Sequence, residues 1–127
     1  FLVKIPVAVT LGSDKILLGI FVLSPIIMSL RLGSESDKSA LIAELDKIKQ
    51  KWIIERDRPV ILGEWGTIEA NPMQSRINYV DFYAKEAAAR GLLTIVWDDG
   101  GNFRLFNRND LSWDFADIAT AIVAASQ

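Results

Sequence analysis

The sequence contains no histidine and no cysteine among its 127 residues. Without imidazole there is no Ser-His-Asp triad, no Cys-His pair and no imidazole-ligated zinc. Without thiols there are no disulfides and no thiolate chemistry, and the redox compartment stays undecided. A strong excess of one charge is also missing: 14 basic and 16 acidic residues give a formal charge of −2. That balance points to neither a nucleic-acid nor a membrane-surface partner. The phosphate-cradling patterns GxxxxGK[ST] and GxGxxG do not occur. Acid–base chemistry, if the chain performs any, falls to Asp, Glu, Lys or Tyr. These absences leave a carboxylate enzyme as the enzymatic class, with no cofactor expected.

Long hydrophobic runs are scarce too. One uncharged stretch, residues 16–30 (ILLGIFVLSPIIMSL), holds 15 residues with Pro25 within it. A bilayer-crossing helix needs ~20 apolar residues and tolerates such a proline poorly. The stretch does not follow a basic start, so a signal peptide fits poorly and a strand plus loop fits better.

What is present suffices for one core: half of the residues are hydrophobic and 24% charged. We expect a single domain over residues 1–127. Residues 1–11 and 15–23 are rich in Val, Ile and Leu and read as strands. Gly12-Ser13-Asp14 between them is too short for a parallel crossover and suits an antiparallel hairpin. A loop over residues 26–36 follows, with Ser36 placed to cap a helix from Asp37. That helix carries Leu41, Leu45, Ile48 and Trp52 at helical spacing. VILGEWG, residues 60–66, reads as an apolar strand covered on both faces. Asn71-Pro72 opens a second helix with Pro at its first position, and Ile77, Val80, Tyr83, Ala84, Ala87 and Ala88 share one side. Arg90-Gly91 ends it, the glycine at the C′ position. LLTIVW, residues 92–97, reads as another buried strand. A last helix from Asp114, with Trp113 stapled onto it, turns Phe115, Ile118, Ile122 and Val123 inward. The order from residue 37 is α-β-α-β-α, which predicts an α/β fold with a parallel sheet.

In such folds ligands meet the carboxyl ends of the parallel strands. Two strand ends here carry unusual chemistry: Glu64, set between Gly63 and Trp65-Gly66, and the run Trp97-Asp98-Asp99-Gly100-Gly101. An indole can stack on the apolar face of a pyranose while a carboxylate acts on the glycosidic bond. A turn glutamate and a strand-end core aromatic are the alternatives the residues leave open. Asp98 and Asp99 also offer oxygen ligands to a cation, but no further ligand spacing accompanies them, and no metal is assigned. Glu69 reads as a solvated loop acid.

RPVILGEWG, a helix ending in AAARG, LLTIVWDDGG and FRLFNRNDLSW together resemble the C-terminal part of glycoside hydrolase family 5, above all its bacterial endo-β-1,4-glucanases, the cellulases. The likeness is dense over residues 56–123. It implies a (β/α)8 TIM barrel, here a half barrel, with residues 1–36 a divergent strand pair and loop and 37–127 the β-α units. It implies that Glu64 is the nucleophile of a retaining mechanism, that Trp97 lines the subsite of the attacked sugar, and that Asp98 and Asn102 lie near the cleft. The implied partner is cellulose or a β-1,4-glucan oligosaccharide, and the implied location extracellular. Phe21, Val22 and Leu23 stand where the family has His-Tyr-Tyr. The family's Asn-Glu-Pro, which carries the general acid/base, does not occur in the chain. Catalysis is therefore expected to be incomplete unless a complementing N-terminal half supplies the acid. The alternative is a non-catalytic half barrel that binds carbohydrate or forms a homo-oligomer through its apolar N-terminal residues.

Overall fold

Strands β1 (Val3–Thr10) and β2 (Ile16–Leu23) pair antiparallel in the computed structural model, which describes residues 3–10, 16–23 and 35–125. The expected turn at residues 12–14, the loop before residue 35 and the apolar side chains of residues 21–28 lie outside the described part. Pro6 sits on β1, an edge strand, which tolerates a residue with no N–H to donate. β2 then runs parallel to β3 (Val60–Trp65) and β3 parallel to β4 (Leu93–Val96), giving one sheet in the order β1-β2-β3-β4. Parallel neighbours need long crossovers, and helices supply them. Helix α1 (Glu35–Ile48) continues through a π-helical segment, Lys49–Ile54, toward β3, and α2 (Met73–Ala88) joins β3 to β4. A small hairpin, β5 (Phe106–Asn107) with β6 (Ser112–Trp113), precedes helix α3 (Ala116–Ala125). The α/β class is as expected, with an antiparallel strand added at the edge of a parallel sheet.

The core lies between one face of the sheet and the helices. Val60, Leu62 and Trp65 of β3 join Tyr79, Val80, Tyr83, Ala84 and Ala87 of α2, with Leu45 from α1 and Ile118 from α3. Trp65 stacks on Tyr83 with ring centroids 4.4 Å apart and meets Tyr79 edge-on at 6.2 Å. At the end of α2, Gly91 adopts φ +71°, and the following N–H of Leu92 bonds back to the Ala87 carbonyl at 3.0 Å. This is the glycine stop expected there.

Several local expectations are corrected. β4 is not buried on both faces: Val96 packs on the core, but Leu93 is 63% and Ile95 53% exposed on the opposite side. An apolar run reports hydrophobicity and not what covers it. Helix α1 starts at Glu35, so Ser36 lies inside its first turn. Pro72 occupies the cap position, and α2 starts at Met73. Helix α3 starts at Ala116, two residues past Asp114, whose carboxylate instead pairs with Arg104 at 2.9 Å. Trp113 is consequently out of stapling position and meets Phe106 edge-on at 5.2 Å. Val123 and Ala88 face outward. Trp52 is half-buried, with the Arg56 guanidinium 4.5 Å above its ring.

Candidate active site

Side chains alternate along a strand, so the sequence Val60, Leu62 would send position 64 into the core. The register between β3 and β4 slips there: Gly63 pairs with Ile95, and Trp65 pairs with Val96. Glu64 is the extra residue of this bulge, with φ at +60°. The bulge gives the core position to Trp65 and leaves Glu64 half-buried outside it. A left-handed backbone at a residue with a Cβ is unfavourable, by about 1–2 kcal/mol. Such strain persists only where the surroundings enforce it. Here the stacked Trp65 on one side and the parallel ladder on the other do so.

Trp97 follows β4 directly, and its N–H donates to the Trp65 carbonyl at 2.8 Å. The indole is 41% exposed. Glu64 and Trp97 thus come from adjacent ends of two parallel strands, as their places in the sequence suggest. Gly66 closes the other side: a Cβ there would come within 3.3 Å of both the Phe103 ring and the Trp97 carbonyl. A side chain at that position would require the Phe103 ring or the Trp97 backbone to give by a few tenths of an ångström.

Asp98, at the same strand end, is bonded to its own loop. Its Oδ2 accepts the N–H groups of Leu105 and Phe106 at 3.2 and 3.0 Å, and Oδ1 accepts Gly100 N–H at 2.8 Å and Arg108 Nη1 at 2.9 Å. Partial burial pushes this carboxyl up, but the hydrogen bonds from Gly100, Phe106, Leu105 and Arg108 outweigh it and hold its pKa below the usual value. Asp99 likewise accepts Gly101 and Phe103 N–H groups at 2.7 and 3.1 Å. Asn102 is exposed, and its carbonyl accepts the Glu69 N–H at 2.7 Å. The Glu69 carboxylate lies 3.5 Å from Arg104. The acids around the loops are therefore engaged in building them. By contrast, no side-chain hydrogen bond or ion pair engages Glu64 among the described residues. No group of three or more Asp or Glu side chains among the described residues is arranged to hold a metal ion.

Arg76 was not anticipated. It is 1% exposed, donates from Nε to Thr67 Oγ1 at 3.1 Å and holds its guanidinium 4.2 Å over the Phe115 ring. Burial lowers its pKa, against the opposing pull of Glu69. It ties the loop that leaves Glu64 to α2 and to the approach to α3. The signal was available: Arg76 stands on the stripe of Tyr79, Val80, Tyr83 and Ala87, and a cation on an apolar stripe has a buried use.

Comparison with known proteins fits this geometry. The chain is 38% identical over 98 residues to Endoglucanase B of Clostridium cellulovorans, spanning 72% of this chain and 22% of that protein. Its fold superposes on ZgEngAGH5_4, solved in complex with a cellotriose, with a TM-score of 0.76 and 39% identity over 84% of this chain and 34% of that one. A GH5-4 broad specificity endoglucanase from Clostridium longisporum gives a TM-score of 0.74 and 28% identity over 85% and 35% of the two chains. The chain thus spans between about a fifth and about a third of the proteins it matches. No family model matches it.

Proposed function

This chain corresponds to the C-terminal part of glycoside hydrolase family 5 endoglucanases, and we propose that it is the nucleophile-bearing half of a (β/α)8 barrel that hydrolyses β-1,4-glucan with retention. One observation carries the proposal: the bulge that lifts Glu64 out of the core at a strand end beside an exposed indole. The Glu64 carboxylate attacks the anomeric carbon of the sugar stacked on Trp97. The bond to the glycosidic oxygen breaks, and a second carboxyl group protonates the departing oxygen. Water then cleaves the glycosyl ester, the second group taking its proton as base. Glu69 is held in the loop by Arg104 and Asn102, so a segment outside this chain supplies that second carboxyl. Cellulose is an insoluble polymer, so the proposed enzyme works outside the cell. No helix among the described residues is long and apolar enough to cross a membrane.

The test is hydrolysis of carboxymethylcellulose by the chain alone and mixed with the upstream part of the Clostridium cellulovorans endoglucanase. The isolated chain should not exceed its Glu64→Gln variant. The mixture should turn over, and Glu64→Gln should remove at least about a thousandfold of that rate. Turnover in the mixture that survives Glu64→Gln overturns the assignment. Glu64→Gly should also abolish turnover while raising stability by about 1 kcal/mol, because glycine adopts φ +60° without strain. A urea midpoint that falls on this change would show that Glu64 is not strained.

A second reading draws on the bare face of β4. Leu93 and Ile95 stand exposed side by side on one strand face, and β4 has a free edge in the sheet. A non-catalytic module could pair with its own copy through that face. Sedimentation separates the two readings. A dimer at micromolar concentration that Ile95→Asp dissociates favours the module, whereas a monomer favours the half that awaits its upstream segment.

A further inference from the structure

Arg76 is the buried charge among the described residues, and the proposed reaction does not use it. No ion pair engages its guanidinium among the described residues, and the Glu69 carboxylate pairs with Arg104 instead. Its Nη2 has no hydrogen-bond partner. Burying a charge with so little compensation opposes folding. A methionine would fill the same space without that cost. What the arginine adds is direction: a planar group that donates along one line and packs along another.

Those two directions lead to two different loops. Nε donates to the Thr67 hydroxyl at 3.1 Å, and Thr67 stands three residues past Glu64 in the loop leaving β3. The guanidinium lies 4.2 Å over the ring of Phe115, on the segment leading into α3. The Phe115 N–H bonds the Leu105 carbonyl at 3.2 Å. Leu105 in turn donates its N–H to the carboxylate of Asp98, the residue after Trp97. One buried cation thus links the loop that follows Glu64 to the loop that follows Trp97.

Building on the glucan-hydrolase function above, we infer that Arg76 is a positioning residue of that reaction, fixing the loop after Glu64 against the loop after β4. Upstream, the β3 ladder and the burial of Trp65 constrain the bulge. The strand ends at Trp65, and the buried Thr67 hydroxyl is the first side-chain anchor beyond it. Released there, the chain can relax the φ of +60° at Glu64 toward the strand geometry that a residue with a Cβ prefers. The carboxylate moves with it, and a shift of about 1 Å at a reacting group can cost about a hundredfold in rate.

The experiment uses Arg76→Met, which keeps the bulk and removes the charge, and Thr67→Val, which removes the acceptor at equal size. Amide hydrogen exchange is followed in the chain alone. The kcat and KM on carboxymethylcellulose are measured in the mixture with the upstream part of the Clostridium cellulovorans endoglucanase. In Arg76→Met the urea midpoint should hold or rise. Exchange at the N–H groups of Trp97 and Glu69, which bond to the Trp65 and Asn102 carbonyls, should speed at least about tenfold. Val80, in the core face of α2, should keep its protection. The kcat should fall at least about tenfold at unchanged KM. Thr67→Val should do the same, the double variant should add nothing further, and Thr67→Ser should behave as wild type.

Exchange that speeds equally at Val80 would make Arg76 an ordinary stabilising residue and overturn the positioning role. Unchanged exchange at Trp97 and Glu69 overturns it too, as does an Arg76→Met mixture as fast as an active wild-type mixture. In these cases the proposed function stands. A wild-type mixture without turnover overturns that function, and the positioning role with it.

Discussion

Trp65→Ala is expected to lower the stability of the chain by about 3–5 kcal/mol, the range for emptying a large aromatic site in a core. Trp65 is 1% exposed and heads the fully buried side chains by volume. Its ring lies against both tyrosines of α2, so the cavity would open at the contact that joins the sheet to its covering helix. Against a total of about 5–15 kcal/mol for an ordinary domain, that loss is a large fraction. Trp65→Phe should cost less than half as much. The indole N–H has no hydrogen-bond partner among the described residues, and phenylalanine removes that buried donor along with part of the ring. Urea unfolding followed by far-UV circular dichroism reads both variants without relying on the altered fluorophore. A loss under about 1 kcal/mol for Trp65→Ala would mean that the core is not organised around this ring.

The consequence reaches the candidate site. Trp65 and Glu64 are neighbours at the bulge, and the register slip that buries the indole goes with a left-handed backbone at the carboxylate residue. A core contact and the candidate carboxylate are thus two sides of one local distortion. Such distortions cluster where a side chain must be re-aimed.

This also marks how far the sequence could be read. The helices and the parallel strands were legible because apolar spacing and glycine stops report backbone geometry directly, as Gly91 does at the end of α2. Glu64 was legible as a candidate because one acid in an apolar strand end is chemically conspicuous. The bulge beneath it was not, since a one-residue slip depends on which ring the core accepts and leaves no periodic trace. β4 misled for a related reason: Leu93 and Ile95 look like core residues, yet what would cover them is not in the chain's own sheet. Asp98 is the most instructive residue. A carboxylate that caps loop N–H groups carries no mark of it in the sequence, and only the backbone around Asp98 separates this use from that of a solvated acid.

That separation has a measurable consequence. Asp98→Ala is expected to destabilise the chain by about 2 kcal/mol, since it strands the partly buried N–H groups of Leu105 and Phe106 and releases Arg108. The figure is modest for so many hydrogen bonds because Arg108 is more than half exposed and water can replace part of what is lost. Asp98→Asn should fall between, as the amide oxygen can serve only some of these donors. The sign of the pH dependence follows from the lowered pKa of Asp98. Its contribution is fully present above the ordinary carboxylate pKa of about 3.9 and is lost as pH falls through the lower folded value. The difference in urea midpoint between wild type and Asp98→Ala should therefore be constant at neutral pH and shrink on acidification below about pH 4. A difference that stays constant into strong acid would show that the carboxylate charge does not hold the hairpin. The same variant reports on the hairpin: if Asp98 anchors it, its loss should broaden the indole N–H resonance of Trp113 in a proton–nitrogen spectrum and leave that of Trp65 sharp.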